Sequence, residues 1–212
     1  MIYSFSLTGA NIPAIKEFEI EKATAVKSGR IVYIDENGIV NNEGGTILGV
    51  AAEEHSGEKD LLNTRANGNK IRVDITQAGV YKMPCPVFES IENSQTSFVC
   101  DNTCANANIK GSLVLVAKGQ DSTNSDYIGK RRKIIAATVS GNKTVITLDN
   151  DVTTCKGDRY AFVPAVGFNG SADSTKTGFS AVTSADSPVL TVVSCDTNTL
   201  NIEAIIGSKL FN

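Results

Sequence analysis

Alternation of apolar and polar positions is the dominant pattern along the chain. In KIRVDITQ, Ile71, Val73 and Ile75 alternate with Lys70, Arg72, Asp74 and Thr76. A period of two keeps one face of a strand buried and the other wet. LNIEAI repeats it, with Leu200, Ile202 and Ala204 on one side and Asn201 and Glu203 on the other. GRIVYIDENGIVNN reads as two strands joined through Glu36, Asn37 and Gly38, and ATVSGNKTVITLDN as two joined through Ser140, Gly141 and Asn142. Asn and Gly accept the positive φ of a tight hairpin, and Ile146 and Leu148 then point inward. TILGVAA, GSLVLVAK, DRYAFVPAV and PVLTVVSC are further β-rich runs, separated by Gly, Asn, Asp and Ser clusters. This spacing predicts a mostly β fold of barrels or sandwiches with little helix. Short helices are expected at CPVFESIENS and in EEHSGEKDLLNTRANG, where Gly57 weakens the signal.

The prolines of MPCPVFES cannot sit inside a central strand, so a domain change is expected there. The predicted organisation is an N-terminal arm over residues 1–21, a small β-barrel over 22–88, and a second β-barrel or sandwich unit over 89–212. Within the last, the Ser-, Thr-, Gly- and Asp-rich segment 169–188 is expected to cross the surface as a long loop.

Composition narrows the partners. A formal net charge of -3 argues against wholesale attraction to nucleic acid or to an anionic membrane. No stretch reaches the roughly 18 apolar residues of a membrane span, and MIYSFSLTGANIP lacks the basic and apolar regions of a secretory signal. The expectation is a soluble protein made and kept in a cytoplasm. Its five cysteines, Cys85, Cys100, Cys104, Cys155 and Cys195, are then reduced and mostly buried.

Candidate chemistry is sparse. His55 is the chain's single histidine, in an acidic loop with Glu53, Glu54 and Glu58, and is expected to be an exposed loop residue. Cys100 and Cys104 have a C-x3-C spacing, but no second close pair accompanies them, so incidental thiols are expected rather than zinc ligands. IGKRRKII departs from a phosphate loop, because Lys130 is followed by Arg and Asn124 stands where the first Gly belongs. Lys130, Arg131, Arg132 and Lys133 read as a solvated strand edge guarded by charge, with docking onto an acidic protein surface as the functional reading. SGEK at Ser56–Lys59 lacks the companion motifs of its family. No catalytic residue, cofactor or metal site is expected, and the chain is not expected to be an enzyme.

The sequence AVKSGRIVYIDENGIVNNEGGTILGVAAEEHSGEKD, continuing to NKIRVDITQAGVYKM, resembles the small barrel of head decoration, or capsid cement, proteins of tailed bacteriophages. The elements that carry the resemblance are Gly29 to Val40, Ile47 to Ala52, Ile71 to Ile75 and Gly79 to Tyr81, in the family's order. The stretch from GSLVLVAK to CKGDRYAFVPAV looks like a further β unit that accompanies such barrels in virion proteins. The resemblance implies a structural protein that binds and stabilises the outer surface of an icosahedral capsid, with the major capsid protein as partner. It also implies a homo-oligomer, a trimer among the options, located on the virion after assembly in the host cytoplasm. Expected capsid contacts are Tyr3, Phe5, Leu7 and Ile12, which could add to a neighbour's sheet edge or cap their own barrel, together with Lys130, Arg131, Arg132 and Lys133. The alternative is a head-fibre or surface-attachment protein that presents segment 169–188 to a host receptor or glycan. A hydrolase built from Asp and Glu would need paired carboxylates in a deep pocket.

Overall fold

Strand β1 (Ile2–Ser6) opens the chain. It is followed by β2 (Ile15–Ile20), β3 (Ile31–Ile34), β4 (Ile39–Asn41), β5 (Thr46–Ala51) and β6 (Lys70–Asp74). Then come β7 (Gly79–Pro84), β8 (Val87–Glu89), β9 (Ser97–Asp101), β10 (Gly111–Ala117), β11 (Arg131–Ser140) and β12 (Lys143–Leu148). The chain ends with β13 (Arg159–Pro164), β14 (Asn169–Ala172), β15 (Phe179–Ser180), β16 (Val189–Asp196) and β17 (Asn201–Ile206). The structure, a computed structural model, describes residues 1–7, 12–21, 23–57, 69–150, 153–173, 175–183 and 187–207. Among them, β2 to β6 close a barrel in the order β2-β4-β3-β5-β6. The remaining strands form two six-stranded sheets, β1-β7-β17-β16-β14-β15 and β8-β13-β10-β11-β12-β9. The fold is therefore nearly all β, with a closed barrel beside further sheets.

Both predicted hairpins are present. β3 and β4 pair antiparallel, and the Asp35 carboxylate accepts hydrogen bonds from the Asn37 and Ile39 amides across the turn. β11 and β12 pair through Gly141, whose φ is 61°. Inside the barrel Ile20, Val32, Val40, Leu48, Ile71 and Val73 form one apolar cluster. Gly49 permits the closure: a Cβ there would lie 2.1 Å from the Asp74 carbonyl oxygen on the neighbouring strand.

The polar side of KIRVDITQ is only partly wet. Asp74 and Thr76 are buried, because the Thr76 amide donates to Asp74 and the Thr76 hydroxyl accepts from the Ala14 amide. Tyr81 also bonds to this carboxylate, and burial with that negative charge pushes its phenol up. CPVFESIENS forms strand β8 rather than a helix: Phe88 faces Tyr160 across the ladder to β13 and stacks on Phe162 at 5.5 Å. Of EEHSGEKDLLNTRANG, residues 58–68 lie outside the described residues.

Residues 1–21 divide between two layers. β1 pairs with β7 at the edge of the first sheet, whereas β2 pairs with β6 and β4 in the barrel. Gly79–Tyr81, the last element of the family resemblance, also leaves the barrel and pairs with β17. Of segment 169–188, residue 174 and residues 184–186 lie outside the described residues; the rest contains β14 and β15, and the described part of their connecting turn packs on the barrel at Lys176 rather than crossing open surface. Buried Lys176, with φ at 57°, donates to the Asn42 carbonyl at 3.1 Å and lies 4.7 Å from the centre of the Tyr33 ring. Its own carbonyl accepts from the Ile31 amide. Ile31 and Val50, on the barrel's outer side, join the large core containing Tyr81, Met83, Phe98 and Phe162.

Gly49→Ala forces the β5 and β6 backbones apart and is expected to cost about 2–3 kcal/mol. Gly207→Ala, where the nearest atom to an added Cβ is 3.6 Å away, is expected to be nearly neutral. Paired thermal or urea melts measure both.

Candidate functional site

The four cations of IGKRRKII are placed by a loop that is built around one buried carboxylate. Asp158 is fully buried and accepts from the Gly119 amide at 2.8 Å, the Asn124 side chain at 2.7 Å and the Cys155 amide at 3.0 Å. Burial alone would raise this carboxyl, but these bonds and the Ser122 hydroxyl outweigh it and hold it below its ordinary 3.8. Asn124 also donates to the Thr153 carbonyl. So anchored, Asn124–Tyr127 makes a single 3-10 turn, and the Gly129 amide then bonds to Leu115 to start β11.

The turn leaves Tyr127 exposed, with the Lys130 ammonium 4.9 Å and the Arg132 guanidinium 5.5 Å from its ring centre. Lys130, Arg131 and Lys133 are exposed and Arg132 is half-buried. The Lys133 amide donates to Asp149. An aromatic face thus gathers cations at the start of a strand.

β11 is ten residues long, but β10 pairs only with Arg131, Arg132 and Lys133. Gly111 explains the early stop. Its φ is 147°, and a Cβ there would lie 2.2 Å from the Val163 carbonyl oxygen, so the chain at the start of β10 is drawn toward β13. Beyond Lys133, β11 pairs with β12 on one side, and among the described residues no strand pairs on the other. This outer edge reads IIAATVS from Ile134 to Ser140 and carries no charge. Ile135 and Val139 are exposed, at 59% and 43%. A depression of about 600 Å³ lies where β10 and β11 part, lined by Lys110, Gly111, Lys133, Ile135 and Asp149. Unpaired backbone groups beside apolar side chains suit the addition of an extended segment.

The N-terminal candidates are divided differently. Tyr3 packs edge-on against Tyr81 at 6.2 Å, so it caps its own sheet. Leu7 and Ile12 are exposed. Phe5 pairs with Val80 through its backbone, and its side chain lies outside the described residues. Tyr3 and Phe5 belong to β1 of the first sheet and Ile12 precedes β2 of the barrel, whereas the basic run begins β11 of the second sheet.

The remaining candidates have structural roles. His55 is buried at 5% exposure, contrary to the expected exposed loop. Its backbone pairs with Val26, and its Nδ1 lies 2.7 Å from the Thr24 carbonyl oxygen. Glu53 accepts from both the amide and the side chain of Arg72, while Glu54 is exposed. Burial pushes the Cys100 thiol up to about 12 and raises that of Cys104. Among the described residues no three His, Cys, Asp or Glu side chains converge as metal ligands, and no helix is long and apolar enough to cross a membrane. Lys59 of SGEK lies outside the described residues. A wide polar depression of about 890 Å³, lined by Glu89, Asn93, Gln95, Gln120, Asp121 and Lys156, adjoins the Asp158 loop. Its residues come from three separate segments, so no sequence spacing announced it.

Asp158 sets an acid dependence. Its folded pKa is depressed, so its contribution is complete above the unfolded value and fades as pH falls through the folded one. Asp158→Asn is expected to cost about 2–4 kcal/mol at neutral pH. It should also flatten the loss of stability as pH falls below about 4, which thermal melts on the acid side measure.

No family model matches the chain, and no curated protein matches it. A solved structure from Mycobacterium phage Patience aligns over 99% of this chain and 98% of its own, at 12% identity and a TM-score of 0.36. At that score no shared fold or function is drawn from the likeness.

Proposed function

We propose that this chain is a virion structural protein that docks on the outer surface of an icosahedral phage capsid and reinforces it without catalysis. The observation that carries this reading is the uncharged outer edge of β11 directly behind four cations, which no strand among the described residues pairs. In a chain of net charge -3 these cations are a local exception. They would steer the protein toward an acidic patch of the major capsid protein, and an extended capsid segment would then add to the β11 edge. The resemblance of most of residues 22–168 to head decoration proteins implies the major capsid protein as the partner. A protein that binds the assembled shell and not its free subunits stabilises the shell by mass action. Repetition as a homo-oligomer, such as a trimer, multiplies modest contacts. Exposed Leu7 and Ile12, near the N-terminus, offer a second contact.

The second reading is a surface-attachment protein that binds a glycan. It is favoured by the polar depression beside the Asp158 loop, whose amides and carboxylates match sugar hydroxyls. The inward packing of Lys176 weighs against the outward display of segment 169–188.

The test is cosedimentation with phage heads that lack this protein. The expected result is saturable binding at a fixed ratio to the major capsid subunit. Arg131→Glu with Lys133→Glu should weaken binding at least tenfold at low salt and less at high salt. Ile135→Glu with Val139→Glu should abolish it at any salt. Absence of binding by the wild-type protein overturns the capsid reading, and retention on host surface polysaccharide establishes the second one.

A further inference from the structure

Two cysteines that are far apart in sequence meet in the first sheet. Cys195 in β16 and Cys85, just after β7, are 110 residues apart and have their Sγ atoms 3.6 Å from each other. β17 lies between their strands, and two irregularities accompany the contact. β16 shifts register between Val192 and Ser194. The chain bends at Leu200, with φ at 52°, and its carbonyl accepts the Cys85 amide at 2.8 Å.

The geometry points to Cys85 and Cys195 as a disulfide-forming pair, closed by a small-molecule disulfide of the oxidised-glutathione class. Cys195 is the attacking thiol because it is half-exposed, whereas Cys85 is buried. A hydrogen bond from Cys85, opposed in part by burial and aided by nearby Arg131, holds the Cys195 thiol below its ordinary value. The same hydrogen bond, together with burial, pushes Cys85 up. The Cys195 thiolate attacks one sulfur of the oxidant, whose S–S bond breaks, and the departing thiolate takes a proton. Cys85 then gives its proton to solvent and attacks the Cys195 sulfur of the mixed disulfide, releasing the second small thiol. Two protein thiols and one oxidant disulfide become one protein disulfide and two small thiols.

The bond would tie the end of β7 to β16 across β17 and close a long loop of chain. Such a cross-link restricts the unfolded chain, and an upward shift in Tm of about 5–10 °C is expected. A reducing cytoplasm keeps the pair open and an oxidising exterior closes it. That timing rests on the virion reading, but the thiol chemistry does not.

The experiment treats the purified full chain with oxidised glutathione and caps remaining thiols with N-ethylmaleimide. Peptides are then mapped by mass spectrometry without reduction. The expected result is a linked Cys85–Cys195 peptide pair, together with a rise in Tm that is absent from Cys85→Ser and Cys195→Ser. Three outcomes overturn the inference: a Cys100–Cys104 link instead, capping of both Cys85 and Cys195, or arrest at a glutathione adduct on Cys195. The wild-type map needs no variant to fold, and none of these outcomes depends on whether the protein binds capsids.

Discussion

A buried lysine holds the barrel to the first sheet. Lys176 sits in the β14–β15 turn, and its ammonium has the Asn42 carbonyl, the Tyr33 ring and, at 3.9 Å, the Glu43 carboxylate around it. Burial lowers its pKa, and Glu43 opposes that shift. A buried cation is tolerable only with such partners. The surrounding backbone reinforces the attachment: the Lys176 carbonyl accepts from Ile31, and the Met1 amine donates to both Gly29 and Thr177. With Ile31 and Val50 packed into the large core, the barrel is held by two kinds of force. One is directional and polar, the other is apolar burial.

That attachment determines which surfaces remain available. Ile31 and Tyr33 point away from the barrel interior yet are buried, so the outer face of β3 is occupied. The outer edge of β11 is different. It is long and uncharged, and it begins where Gly111 turns β10 away. Proteins usually blunt such an edge with charge, proline or a covering loop. Here a register shift at Ile134 to Ala136 bends it, and the cations stand at its start rather than along it. It is this edge that the proposed docking uses as its recognition surface.

The sequence made the local structure legible and the long-range structure much less so. Alternation in KIRVDITQ and LNIEAI and the Asn-Gly turns report backbone geometry within a few residues, and those strands and hairpins are present. The errors involve a distant partner in every case but one, Asp74, whose partners are near neighbours on the chain. His55 is buried because its backbone pairs with Val26. Asp74 is buried because Thr76 and Tyr81 satisfy it. The short helix expected at CPVFESIENS yields to pairing with β13. Within the polar segment 169–188, Lys176 turns inward because its partner Asn42, 134 residues away, lies on the barrel. For the candidate site, the cations were visible as a run. The free edge beyond them was not, since it depends on where β10 stops.

The basic run also shows how a single local feature can serve distant ones. Arg132 and Lys130 lean on Tyr127, which the Asp158 loop holds in place. Arg131 faces the other way and helps stabilise a thiolate at Cys195. Successive residues of a strand point to opposite faces, so one stretch of four cations can pack on Tyr127 from one face and act on Cys195 through its charge from the other. The position of the run is therefore constrained by the buried carboxylate whose loop presents it. Charge placed at random along an exposed edge would not require such an anchor.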